Sequence, residues 1–223
     1  MFKRLIILFK LGRKLAKSDV LTIVSKFNKP PLLISVIFKL LSFSFTKKDV
    51  SFDNLSEGEK LSNSLASMGT TFIKLGQFLA TRPDIIGDKL SKELENLQDK
   101  LPPFSQSKAK DMIKKDLGDE LYNSIINISE PVAAASIAQV HKAQINDNGV
   151  IKDVAIKILR PDIKKIFNEE VDALMLFAYI VESFIKKTKR LKLVEVVFLL
   201  KEITSLEMDL RFEAAAANEY AEN

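Results

Sequence analysis

Two residues far apart in the chain carry the clearest chemistry. Lys157 closes the run Val154-Ala155-Ile156-Lys157 inside a strand-like stretch from Val150 to Leu159. Its compact ammonium on a flexible stem suits the phosphates of a bound nucleotide. A carboxylate brought by a following helix would orient such a lysine, and Glu213, in Asp209-Leu210-Arg211-Phe212-Glu213-Ala214, is the candidate. Taken singly, a solvated strand lysine and a helix-surface carboxylate remain the plain alternatives. Between Pro131 and His141, where a glycine-rich phosphate loop would be expected, stands Pro-Val-Ala-Ala-Ala-Ser-Ile-Ala-Gln-Val-His. Ala133, Ala134 and Ala135 put Cβ atoms where glycines would let backbone amides close on phosphates, so any nucleotide geometry there must differ from a glycine loop.

The elements that must hold these residues divide the chain into three parts: 1–48, 49–128 and 129–223. Ser56 and Glu59 form a Ser-x-x-Glu capping box. From there Leu61, Leu65, Met68, Phe72, Leu75 and Leu79 recur at steps of three and four, which predicts one helix ending near Arg82-Pro83. Lys74 and Gln77 project opposite that stripe, so the helix does not need them for its core. Gly69 and Gly76, one heptad apart, suggest close helix packing. Further helices are expected over about Asp88–Asp99 and between Ser107 and Leu117. Val132–Ile145 and Val150–Leu159 read as strands joined by the turn sequence Asn146-Asp147-Asn148-Gly149. On the second strand Val154, Ile156 and Ile158 share one face, Ala155, Lys157 and Leu159 the other. Helices follow over about Asp162–Lys187 and Val194–Tyr220, separated by the basic turn Lys186–Lys192. Residues 161 to about 200 would be a helical insertion between Lys157 and Glu213.

Composition bounds the chemistry. The 223 residues contain no cysteine, which excludes disulfides, thiolate metal sites and cysteine nucleophiles. The single histidine, His141, excludes a histidine-rich metal site, and its place on a strand favours a structural role. The net charge of +5 is concentrated at the front, where Lys3, Arg4, Lys10, Arg13, Lys14 and Lys17 precede Asp19 and alternate with apolar residues. Such a helix suits an anionic membrane surface, a targeting peptide, or docking on the protein with its lysines solvated. Pro31–Phe45 is the most apolar stretch, but it is shorter than a spanning helix needs and contains Lys39, so any membrane attachment should be peripheral.

Val154-Ala155-Ile156-Lys157 matches the lysine strand of a kinase N-lobe, and the alanine-rich segment makes the match specific. The chain resembles the UbiB/ADCK family of atypical kinases. Lys74-Leu75-Gly76-Gln77 matches its KxGQ motif, followed by Arg82-Pro83-Asp84, Leu97-Gln98-Asp99 and Pro102-Pro103-Phe104. Glu207-Met208-Asp209 matches its ExD motif, with Glu213, Ala214 and Asn218 in the continuation. The resemblance covers about residues 50 to 223.

It implies an α+β fold, a helical KxGQ-type region packed on a kinase-like N-lobe of antiparallel sheet and helices. ATP would lie against Ala133, Ala134, Ala135, Ser136 and Lys157, with Glu213 orienting the lysine. Lys74 and Gln77 would be regulatory, Lys74 meeting Glu207 or Asp209. Magnesium would accompany ATP, but no segment supplies the C-lobe aspartates and asparagine that hold it, so the chain is expected to be an N-terminal portion that does not turn over ATP by itself. The implied role is in ubiquinone biosynthesis, peripherally at the cytoplasmic face of a bacterial inner membrane or at the mitochondrial inner membrane. Its partners would be ATP, an anionic membrane surface or an isoprenoid quinone-type lipid, and ubiquinone-biosynthesis proteins, with no nucleic acid. The other class is a non-catalytic helical membrane-surface or scaffold protein.

Overall fold

Ser56 starts the first described helix by the expected capping box: its hydroxyl accepts the Glu59 N–H at 3.1 Å, and the Glu59 carboxylate accepts the Ser56 N–H at 2.8 Å. The structure, a computed structural model, describes residues 6, 7, 9, 10, 56–95, 97, 101–184 and 186–222. The four N-terminal positions are helical, while the rest of the basic segment, including Pro31–Phe45, lies outside the described residues. No described helix is long and apolar enough to cross a membrane. The chain divides into two compact units, residues 1–98 with 164–206, and residues 99–163 with 207–223.

In the first unit α1 (Glu57–Met68) and α2 (Thr70–Ala80) replace the single helix that the periodicity predicts. The break is at Gly69, whose φ of 103° is open to glycine and strained for other residues. Leu61, Leu65, Met68 and Phe72 are buried as expected, but Leu75 and Leu79 are only half-buried, and Ile73 and Thr71 are fully buried in their stead. Gly69 is therefore a helix boundary and not a packing site; nothing lies within 4 Å of where its Cβ would be. Gly76 does mark close packing, against Leu65 and Leu97. After α3 (Pro83–Ile86), α4 (Asp88–Glu95) buries Leu90, Ser91 and Leu94, and the Ser91 hydroxyl donates to the Ala80 carbonyl at the end of α2. The same unit contains most of α6 (Ile163–Phe184) and α7 (Leu193–Glu207), linked by a 3₁₀ turn, Lys186–Leu191. Phe167, Val171, Ala173 and Ala178 of α6 and Val196 and Leu200 of α7 are buried. Lys201 and Asp172 pair at 3.4 Å, and Glu182 accepts the Val194 N–H.

The second unit is built on a three-stranded antiparallel sheet in the order β1-β2-β3: β1 (Ile125–Ala134), β2 (Ala138–Asp147) and β3 (Val150–Leu159). β2 and β3 pair without a break from Ala138↔Leu159 to Asp147↔Val150. Asn148 and Gly149 close that hairpin with φ of 53° and 90°, the signs of a two-residue type I′ turn. The single strand expected over Val132–Ile145 is divided by the turn at residues 135–137: its start ends β1, which begins already at Ile125, and the rest is β2; the register of β1 with β2 shifts three times. Pro131 sits in this edge strand, where a missing N–H is tolerated. Helix α5 (Gln106–Asn123) runs past the expected end at Leu117 through a kink at Gly118, φ 77°. Its Ala109 and Ile113 form a core with Ile158, against which Phe104, Met112, Tyr122, Ile125, Ile128 and Ile156 pack. Each large side chain fully buried there contributes about 1.5–3 kcal/mol. The helix predicted over Val194–Tyr220 is broken at Asp209, which separates α7 from α8 (Leu210–Glu222).

Candidate functional site

Alternation on β3 sends Ile156 and Ile158 toward α5, so Lys157 stands on the opposite face of the sheet. Its register partner on β2 is Val140, whose partner on β1 is Ala133, and residues directly opposite one another share a face. Ala133, Val140 and Lys157 therefore form one row across all three strands. The Lys157 ammonium donates to the Glu213 carboxylate at 2.5 Å, joining residues 56 apart in sequence. Both side chains keep solvent contact, 36% exposed for Lys157 and 58% for Glu213. The pair thus holds Lys157 in one direction without burying its charge.

Glu213 is brought there by the break that sequence periodicity does not show. Asp209 is the residue before α8, and its carboxylate accepts the Arg211 N–H at 3.2 Å, an N-cap arrangement. The Arg211 guanidinium also donates to both Asp209 oxygens, at 2.7 Å from Nε to the first, and these hydrogen bonds, with the charge of Asp209, hold Arg211 above its ordinary pKa. On one uninterrupted helix Asp209 and Glu213 would share a face; the observed boundary makes Asp209 the cap and puts Glu213 in the first turn of a new helix.

The alanine-rich segment is divided between strand and turn. Ala133 and Ala134 end β1; Ala135, Ser136 and Ile137 connect it to β2, and the Ala135 N–H donates to the Ala138 carbonyl at 2.8 Å. None of residues 133–137 has positive φ, so the turn uses backbone geometry open to alanine. Ser136 is fully buried, backbone included, so the accessible part of the turn is Ala133 to Ala135. An open concavity of about 680 Å³ lies over Lys142, Gln144, Asp153 and neighbouring residues of the sheet and includes neither Lys157 nor the turn.

Two side chains absent from the sequence expectations brace the turn. The Arg160 guanidinium donates to the carbonyls of Ala135, Pro102 and Leu101. Gln139 grips Phe104, its Oε1 accepting the backbone N–H at 3.0 Å and its Nε2 donating to the carbonyl at 3.2 Å. His141 is fully buried: Nδ1 donates to the Ser129 carbonyl at 2.7 Å, and Nε2 accepts from Gln139 at 2.9 Å. The amide orientation set by Phe104 fixes that tautomer. This is the structural role expected of the histidine. For Arg160 the only sequence signal is an arginine placed directly after an apolar strand and before a proline.

In the first unit Lys74 and Gln77 lie three residues apart on α2, both half-buried. Glu207 ends α7 and is exposed. Among the described residues no group of three or more His, Asp or Glu could hold a metal ion. The groups that a phosphate-bearing ligand such as ATP would need are present in the Lys157 ammonium and its Glu213 partner; a magnesium set is not formed by the described residues.

The profile of the ABC1 atypical kinase-like domain matches residues 96–223, which include the whole sheet, the turn and Glu213. A Marinobacter nauticus protein named "Probable protein kinase UbiB" is 38% identical over 170 residues, 76% of this chain and 30% of the relative. Proteins of the same name from Aliivibrio fischeri and Shewanella pealeana are 36% identical over 167 residues and 33% over 189, covering 74% and 84% of this chain and 30% and 34% of theirs. The chain spans about a third of the length of these relatives. No solved structure matches it significantly.

Proposed function

The chain belongs to the ABC1 atypical kinase-like family, and on that premise we propose that it binds ATP through the alanine turn and Lys157 as part of a UbiB-like atypical kinase or ATPase supporting ubiquinone biosynthesis. The observation that supports this reading most is the Lys157–Glu213 ion pair, which joins β3 to α8 on the face of the sheet opposite α5. Magnesium-bound ATP would supply the transferable phosphoryl group. Lys157 would neutralise phosphate charge, Glu213 would hold the ammonium in place, and Ala133 and Val140 in the same row offer an apolar surface beside it. Ala133, Ala134 and Ala135 would meet the phosphates through a turn whose backbone differs from that of a glycine loop, with the buried Ser136 beneath them.

A ligand-observed NMR titration with Mg-ATP tests this on the full chain. Binding should weaken at least tenfold in Lys157→Ala; equal affinity in the two proteins sinks the reading.

The regulatory part of the proposal rests on the family resemblance, the membrane part on the charge of the N-terminal segment. Lys74, beside Gln77, would pair with Glu207 or Asp209, and strict additivity of Lys74→Ala with both Glu207→Ala and Asp209→Ala would exclude it. The basic segment before Asp19 attaches the protein peripherally to an anionic bilayer, the cytoplasmic face of an inner membrane in a bacterium, each basic residue adding about 1 kcal/mol. Equal flotation on neutral and anionic vesicles would remove that electrostatic attachment.

A further inference from the structure

Arg160 grips the alanine turn from two sides. Its backbone N–H donates to the Ile137 carbonyl at 2.8 Å, while Nε of its side chain donates to the Ala135 carbonyl at 2.9 Å. Nη1 and Nη2 of the same guanidinium reach the carbonyls of Pro102 and Leu101 at 3.0 and 3.1 Å. Ser136 lies between the two gripped carbonyls. Because a trans peptide is planar, aiming the Ala135 carbonyl at Arg160 turns the Ser136 N–H away from it. The segment that shares the guanidinium is fixed in turn by Gln139, which holds both backbone groups of Phe104. A planar fork can serve several carbonyls at fixed angles, whereas a lysine ammonium carries the same charge without that geometry.

We infer that Arg160 is a positioning residue that fixes the Ala135–Ser136 peptide of the alanine turn and thereby sets how tightly the turn accepts the phosphates of a nucleotide. This rests on the nucleotide-binding reading above. A glycine loop closes on phosphates by its own flexibility; here alanine backbone is held in one orientation by a side chain from the end of β3.

The test uses the full chain as wild type, Arg160→Lys and Arg160→Ala. Hydrogen exchange is followed in peptides covering residues 133–140, with 109–113 of α5 as internal reference, and ATP, ADP and adenosine are titrated by ligand-observed NMR. Both variants should exchange faster in the turn and not in α5, and both should lose about tenfold in ATP and ADP affinity while adenosine is unchanged. Turn exchange equal to wild type in Arg160→Ala overturns the clamp. Wild-type ATP affinity in Arg160→Lys would make charge alone sufficient and overturns the inference. Equal losses for adenosine and ATP would mean general unfolding of the site and also overturn it. If the wild-type chain binds none of the three ligands, the nucleotide reading itself fails and this inference with it.

Discussion

Replacing Gly76 by alanine sets two effects of known sign against each other. Gly76 is in the interior of α2, where alanine is favoured over glycine by about 1 kcal/mol. The added Cβ would lie 2.5 Å from Leu97 Cδ2 and 2.9 Å from Leu65 Cδ1, well inside contact distance. Both leucines can rotate in principle, but each is only 6% exposed, so their methyl groups must move into packed surroundings. Overpacking of that kind costs about 1–3 kcal/mol. The expected net effect is a destabilisation of about 0–2 kcal/mol, with the opposite sign to an exposed Gly→Ala change.

The larger steric contact, with Leu97, can be relieved with Leu97→Val, which removes the Cδ methyl groups and by itself costs about 1 kcal/mol, while the Leu65 contact remains. In that background Gly76→Ala should become neutral or stabilising. Urea unfolding of the four proteins gives the coupling, expected at about 1–3 kcal/mol. If Gly76→Ala stabilises by about 1 kcal/mol in both backgrounds, Leu97 does not press on α2, and the packing that holds Lys74 and Gln77 in place has been misread.

Three further outcomes follow. In a double-mutant cycle of Lys157→Ala and Glu213→Ala, the exposure of both groups limits coupling in folding stability to about 0–1 kcal/mol; a value above about 2 would contradict the solvent-open geometry. His141→Ala should lower stability by about 2–4 kcal/mol, because Ser129 O and Gln139 Nε2 lose their buried partner; an unchanged urea midpoint would refute the network. Arg82 donates to both oxygens of Asp84, and those hydrogen bonds hold the carboxyl below its ordinary value. Since the shift is downward, the contribution of the pair is present above the ordinary carboxylate pKa of about 4 and is lost as pH falls through the lowered one. Carboxyl NMR should give Asp84 a lower midpoint than in Arg82→Ala, and identical midpoints would contradict the pairing.

What the sequence could reveal depended on how local the cause was. The capping box of Ser56 and Glu59 and the Asn148-Gly149 turn act within four residues, and both occur as read. The break at Gly69 was hidden because Leu65, Met68 and Phe72 keep helical spacing across it, and periodicity reports which residues are buried without reporting the φ of the residue between them. The division of Val132–Ile145 between two strands, and the start of β1 at Ile125, were hidden for the reverse reason: the register shifts between Ile125 and Ala133 destroy the alternation by which strands are recognised. The break at Asp209 matters most for the site. Helical spacing alone would put Glu213 on the same face as Asp209, but the Asp209 cap starts α8 anew, so the direction of Glu213 depends on a turn and not on the preceding helix. Lys157 was legible from its strand and the kinase pattern it matches, and Glu213 from the partner that pattern gives such a lysine. Arg160 was not, because its partners are backbone carbonyls, which every residue has and which leave no mark in a sequence. A site held by carbonyl contacts therefore offers fewer signals to motif reading than one held by side-chain pairs, even where the backbone grip decides the shape presented to a ligand.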